Sequence, residues 1–486
     1  MFGKDSSQLG GYSNVNNAGS SYLRNTVRST VYSGNPVIEE KLVTYQIYWK
    51  YYNNKHWASN NDELLSFNYL RAVIDKVNNF IVGKEGFEVS ISDSYGDTID
   101  AETVEKPYEA LLRYNWKKNK KKLFLQKLFQ TGGVCGDAYV FLYPDMKKGF
   151  VEYTLMDSRT CIPIFSNGDY TNVIGYNVIK LLGRRDDGYI QFVTEYRLNM
   201  VRTYYIKETG QNPDKFEQVE TPNDYGFIPV VHIENIAMAD TYGGKSDMED
   251  ILKINKVFNE MAEDLKMTID YYAQPTTIIT GGTVGQLKRG INQIWSGLPA
   301  DASVFNLSLN EDMSATMSFL TMLKNAIHDL SGVPEEILSK VQHISNTSAS
   351  ALQMLFQPLI QVADKKSVSY GEGIDALNKM TCIMYAKSIG THPLFARLPV
   401  EALSKPEAFF ERYVSEVAWK YNLPNDRMGM LNEANIELTQ GIGSRREWMD
   451  KLGKANIPSI LEEIKADDER KAEMVQAERP AVAGAG

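Results

Sequence analysis

Residues 246–273, SDMEDILKINKVFNEMAEDLKMTIDYYA, run for 28 positions without a glycine or a proline. At 1.5 Å per residue such a stretch makes a helical rod of roughly 40 Å. Ser246 followed three positions later by Glu249 is a capping-box signature at its start. Met248, Ile251, Leu252, Phe258, Met261, Leu265 and Ile269 form one apolar stripe at helical spacing. Glu249, Asp250, Glu260, Glu263, Asp264 and Asp270 put an acidic excess on the remaining surface. A rod of this kind cannot bury its stripe alone and needs neighbours.

One neighbour is legible downstream. Pro275 stops the rod. TTIITGG and VGQLKRGINQIWSGLPADASVFNLSLNED read as a compact β-rich insert, and a second helix returns from Ser314 to about Leu330. The two helices predict an antiparallel hairpin with a small head at its tip. Gly332-Val333-Pro334 breaks the chain again, and EEILSKVQHISNTSAS is polar. Residues 350–388 read as a long helix, bent where Pro358 removes a hydrogen-bond donor. Beyond Gly390 the pattern predicts short helices and a charged tail, EEIKADDERKAEMVQAERP.

Upstream, residues 1–35 are rich in Ser, Asn and Gly, lack a hydrophobic period and read as a flexible arm. Helices are predicted over 61–83, ended by Gly83, and over 107–130. The runs AYVFLY, FVEYTLM, CIPIFS, NVIGYNVIKLL, YIQFVTEYR, MVRTYYIK and IPVVHI follow, separated by Asp, Asn, Gly and Pro clusters. They predict antiparallel hairpins and an α+β fold. No internal repeat is present.

The composition sets bounds on function. A chain of 486 residues, 43% hydrophobic and 23% charged, supports several cores. Its net charge of −9 favours a surface that DNA slides past over one that grips phosphates. Cys135, Cys161 and Cys382 are few and far apart, fitting neither a disulfide framework nor a metal cluster. No apolar run approaches the ~20 residues of a membrane span, and the N-terminus lacks the apolar centre of a signal peptide. The expectation is a protein made and used inside a cell, with no membrane partner.

Candidate chemistry is sparse. His56, His232, His328, His343 and His392 include no pair at helical metal-binding spacing. His232, in the apolar strand IPVVHIEN beside Glu234, reads as a buried, satisfied histidine rather than a catalytic one. A nucleophile at Cys135 would need one of these histidines near it in space. TYGGKSD at 241–247 superficially matches a phosphate loop, but the first required glycine position holds Ala239, so a tight turn into the long rod is the better reading. Adjacent carboxylates such as Glu249/Asp250 and Glu263/Asp264 diverge on a helix, which argues against a Mg²⁺-dependent nuclease and for a solvated face. The run WKKNKKKLFLQKLF, 116–129, reads first as a solvated lysine face over a packed apolar side, with phosphate contact as the alternative. No catalytic residue, metal site or cofactor is predicted.

The order of elements, together with specific phrases, resembles the portal proteins of tailed phages, in particular the family typical of long-tailed phages with Gram-positive hosts. The phrases are YYNNKHW, NYLRAVIDKVNNFIVGKEGFEV, GDAYVFLYPD, IPVVHIEN, GGKSDMEDILKINKVFNE and NTSASALQMLFQPL, spread over roughly 40–465. Ala349 departs from the family's serine-glycine-x-alanine-leucine phrase.

The resemblance implies a ring of about twelve subunits around a channel, built from an arm (1–35), wing (36–243), first stem helix (244–272), clip (273–312), second stem helix (313–332), tunnel loop (333–350), bent helix (351–390) and crown with tail (391–486). It implies a place at a unique capsid vertex of the virion after assembly in the host cytoplasm. The implied partners are a terminase motor, a head–tail adaptor, major capsid and scaffolding proteins, and transient, non-specific double-stranded DNA. On this plan the acidic residues of the rod face the channel. Lys340, Gln342, His343, Asn346 and Thr347 of the tunnel loop meet DNA weakly, and Lys288, Arg289, Trp295, Leu298 and Pro299 of the clip form the docking surface. The rival readings are a metal-dependent DNA-processing enzyme using the rod's carboxylates, and another capsid component that binds nucleic acid through the lysine run.

Overall fold

Helix α4, Lys121–Cys135, is the centre around which the main core forms, and its sequence shows why. Phe124, Leu125, Leu128 and Phe129 fill one face and are buried. Its last turns then switch to the small residues of TGGVC. At Gly132 a Cβ would lie 2.0 Å from the Tyr370 hydroxyl, so only glycine lets that tyrosine stack on Phe129 at 3.9 Å. Gly136 ends the helix with φ +88°, a left-handed conformation that glycine adopts without strain.

The computed structural model describes residues 36–55, 65–83, 86–93, 101–166, 169–185, 188–207, 214–239, 241–273, 277–281, 301–306, 313–335, 349–390, 392–421, 427–451, 457, 460–467 and 470. They fall into two compact units, residues 1–341 with 357–422, and residues 342–356 with 423–486.

In the first unit, helices α1 (Pro36–Tyr52), α2 (Tyr69–Val82) and α3 (Ala101–Lys118) accompany α4. Strands β2 (Asp137–Asp145), β3 (Phe150–Met156) and β9 (Val230–Glu234) make an antiparallel sheet in the order β3-β2-β9. Strands β4 (Cys161–Ser166), β5 (Asp169–Arg185), β6 (Gly188–Arg197), β7 (Met200–Lys207) and β8 (Asp214–Pro222) form a five-stranded meander in sequence order. Strand β1 (Phe87–Asp93) pairs with β12 (Tyr413–Trp419), placing Phe87 opposite Trp419. An aromatic cluster sits beneath that pair: the Trp116 ring lies 5.2 Å from Phe87 and 4.9 Å from Tyr153. The buried indole N–H of Trp116 donates to Asn378 at 2.8 Å.

From this body α5 (Leu252–Ala273) leads to strand β10 (Thr277–Thr280), paired with β11 (Ser303–Asn306), and α6 (Ser314–Ser331) follows. Helix α7, Ala349–Met384, continues through Pro358 and passes into a π-helical turn at Tyr385–Ile389. Short helices α8 (Val400–Ser404) and α9 (Pro406–Arg412) precede β12. In the second unit, α10 (Arg427–Gln440) and α11 (Arg445–Lys451) are joined by a bond from the Trp448 indole to Glu437, 3.0 Å.

The mixed helix-and-sheet architecture and the strand runs agree with the α+β expectation. Several boundaries differ for identifiable reasons. The helix expected over 107–130 is two helices, because Lys120 takes φ +53° and breaks the rod between α3 and α4. The helix expected from residue 61 begins at Tyr69, with the Asn68 side chain accepting the Arg71 N–H. Strand β8 was not expected from DKFEQVETP, and the β1–β12 pair joins segments hundreds of residues apart. Strand β12 lies in the first unit, bound to β1.

Candidate functional site

The chain enters the projecting hairpin through TYGGKSDMED, 241–250, and a polar network fixes that entry. Asp137, at the start of β2, is fully buried. Its Oδ1 meets His232 Nε2 at 2.8 Å and accepts the Gly244 N–H at 2.8 Å. Its Oδ2 accepts from the Tyr45 hydroxyl and from Lys41 at 3.3 Å. Burial alone would raise this carboxyl, but the His232 bond, the Lys41 charge and Tyr45 together hold it below the usual range. The His232 ring lies between Tyr139 and Tyr242, with centroids 4.7 and 4.8 Å away. His232 is thus a structural histidine, as its apolar strand implied, with Asp137 rather than Glu234 as its partner.

A second buried pair sits beside the first. Lys366 of α7 has no exposed surface and donates to Asp247 Oδ2 at 2.5 Å. Asn235 donates to Asp247 Oδ1 at 2.8 Å and accepts the Tyr370 hydroxyl at 3.0 Å. The Ser246 hydroxyl bonds the carbonyls of Gly133 (3.0 Å) and Val134 (2.7 Å) and accepts the Met248 N–H. These tertiary bonds replace the capping box expected at Ser246 and Glu249, and the regular helix starts only at Leu252. They also occupy the groups a phosphate would need, so 241–247 is a structural turn.

The hairpin itself is anchored at its base and bare along its sides. Phe258 and Ala262 of α5 are buried against Leu320 and Leu323 of α6. Phe67 and Tyr69 clamp Phe258 edge-on, and Asn259 bonds both the N–H and the carbonyl of Phe67. Away from this seam, Met267, Ile269, Met317 and Met322 are each at least 50% exposed, with Val257 and Phe319 also on the surface.

Among the six acidic candidates, Glu249, Asp250, Glu260, Asp264 and Asp270 are exposed, as a solvated face requires. Asp250 pairs with Lys245 at 2.7 Å and Glu260 with Lys256 at 3.7 Å. Glu263 differs, for it turns inward. The Leu65 N–H, bonded at 2.9 Å, and Lys266 hold its carboxyl below the usual range. It is a brace for the hairpin base, not part of the free face. The tunnel-loop candidates Lys340, Gln342, His343, Asn346 and Thr347 lie outside the described residues, as do the clip candidates Lys288, Arg289, Trp295, Leu298 and Pro299.

Burial pushes the thiols of Cys135, Cys161 and Cys382 well up, which leaves them protonated and poor nucleophiles. Sequence reasoning missed Asp137, Asp247 and Lys366. The only signal available was a charged residue inside an apolar run or at a glycine turn, and such residues are usually exposed. No helix among the described residues is long and apolar enough to cross a membrane.

An anchored two-helix projection that leaves apolar side chains bare defines a structural subunit, one shaped to pack against other chains. The family model for phage portal protein, SPP1 Gp6-like, matches residues 31–474. A chain of the solved "Neck of empty GTA particle computed with C6 symmetry" is similar over 82% of this chain and 94% of its own, at 12% identity and a TM-score of 0.43. No curated relative matches. The chain belongs to the SPP1 Gp6-like phage portal protein family, and its role is that of a portal protein, a structural component of the capsid vertex.

Proposed function

We propose that copies of this chain, about twelve, close into a ring around an axial channel through which double-stranded DNA is packaged and ejected. The observation that carries the proposal is the hairpin of α5 and α6, whose exposed Met267, Ile269, Met317 and Met322 flank the buried seam. Burying such side chains contributes about 25 cal/mol per Å², and neighbouring hairpins around an axis supply the cover. On this reading residues 244–272 and 313–332 are the stem, 273–312 the clip, 333–350 the tunnel loop and 351–390 the bent helix behind it. Residues 36–243 form the wing, and the C-terminal part the crown.

The clip, around Trp295, Leu298 and Pro299, docks the terminase motor and later the head–tail adaptor. The wing faces capsid and scaffolding proteins. ATP hydrolysis belongs to the motor, and this chain's part is structural. DNA meets the tunnel loop through weak, sequence-independent phosphate contacts.

Deleting residues 283–300 tests the assignment. Electron micrographs of the variant should still show rings with an axial hole, while motor and adaptor binding are both lost. Retention of both binding activities refutes the clip assignment. A compact monomer at high concentration in sedimentation of the intact chain refutes the ring.

A further inference from the structure

Cations collect where α3 ends and α4 begins. Arg113, Lys117, Lys120 and Lys122 are exposed there, and among the described residues none of the four has a carboxylate at ion-pair distance. Single exposed lysines without a carboxylate partner, such as Lys50, Lys76 and Lys253, occur elsewhere among the described residues, so it is the clustering here that stands out. In a chain with a net charge of −9, four unpaired cations side by side are unexpected.

Lys117 stands in the last turn of α3, where the dipole favours a cation, but the lysines that follow stand against the next helix. Lys120, Lys121 and Lys122 stand at the positive end of the α4 dipole, where cations repel, and no side chain caps that end. Lys120 moreover holds φ +53°, a conformation that side-chain-bearing residues adopt at a cost. Lys121 is engaged by the Phe87 carbonyl and ring, whereas Arg113, Lys117, Lys120 and Lys122 have no carboxylate partner among the described residues.

The four residues rim a groove of about 940 Å³, in the range that accepts ligand-sized groups. Its floor is apolar. Phe87 and Trp116 lie buried beneath, Val89 is half-buried, and Leu123 is 46% exposed. Strand β1 borders it with the edge that β12 leaves unpaired. The two carboxylates in the wall are engaged, Glu109 with the Ile91 N–H at 3.2 Å and Glu88 with Lys420.

We infer that this groove binds an acidic polypeptide segment carrying an apolar anchor side chain, supplied by another protein. The segment's carboxylates meet Arg113, Lys117, Lys120 and Lys122, and its anchor covers Leu123 and Val89. A DNA duplex is the poorer fit, because its rigid, convex phosphate surface reaches the rim and leaves the apolar floor wet. Charge complementarity sets the rate of such an association, and the desolvated anchor sets its lifetime.

The test is fluorescence anisotropy of the full chain with three probes: a labelled glutamate-rich peptide carrying two leucines, the same peptide with serines for leucines, and a short labelled duplex. The leucine peptide should bind saturably and more tightly than the other two. Lys117→Glu with Lys122→Glu should weaken it by about tenfold or more. Leu123→Ser should weaken the leucine peptide alone, and unchanged circular dichroism and thermal unfolding should show that both variants fold. Absence of saturable binding, equal binding of the two peptides, indifference to the charge reversals, or preference for the duplex would each overturn the inference. The family assignment stands under all of these outcomes.

Discussion

Asp137 shows how one buried charge fixes the entry to the α5–α6 hairpin. It accepts from elements that are far apart in sequence, α1, β9 and the 241–247 turn, and so locks the point where the rod leaves the body. Removing one member of a buried charged set costs about 3–5 kcal/mol, because the others remain desolvated. Asp137→Asn keeps the shape and removes the charge, so thermal unfolding at neutral pH should show a loss near the lower end of that range. The pH dependence has a definite sign. A carboxyl held below its usual value stabilises the fold above the unfolded pKa of about 3.9, and that stability disappears as pH falls through the folded value. The gap between wild type and variant should therefore be full at pH 7 and shrink only below about pH 4. A gap that does not change with pH would mean that Asp137 acts through shape alone. At this scale the sequence was least informative: GDAYVF shows an aspartate after a glycine, and nothing in it reveals partners at positions 41, 45, 232 and 244.

Within the hairpin, two classes of apolar residue should behave in opposite ways. Phe258 is buried against Phe67, Tyr69 and the α6 seam, and Phe258→Ala should cost about 3 kcal/mol of protomer stability in urea unfolding. Met322, 56% exposed, touches little within its own chain. Met322→Asp should change protomer stability by no more than about 0.5 kcal/mol, yet abolish the ring in sedimentation and micrographs. If Met322→Asp assembles normally, that face of α6 is not an interface. The hairpin was the most legible element, since a 28-residue stretch free of glycine and proline, a β-rich insert and a returning amphipathic helix are all local signals. The missed elements lack such signals. Strand β8 is polar and exposed along much of its length, β1 finds its partner only at Tyr413–Trp419, and the α3–α4 break depends on a lysine in a left-handed conformation. In each case tertiary partners outweigh local propensity.

For the whole molecule the net charge of −9 acts through where the acids stand. Glu260, Asp264 and Asp270 lie exposed on α5, whereas Glu263 and Asp247 are tied into the hairpin base. Only the first group can repel a passing duplex if that side of the stem lines the channel. Screening decides how far the effect reaches, with a Debye length of about 10 Å at 0.1 M salt and about 3 Å at 1 M. Neutralising these three as Glu260→Gln, Asp264→Asn and Asp270→Asn should leave ring assembly intact. Duplex affinity should rise by roughly tenfold at about 0.1 M salt, because fewer like charges oppose the phosphates. At about 1 M the variant and the wild type should bind DNA equally weakly. Anisotropy of a labelled duplex against assembled rings across that salt range separates the two physical arrangements. An affinity that rises at low salt and converges at high salt places the acids beside the DNA path. An affinity that does not move at any salt places that face of α5 away from the DNA path.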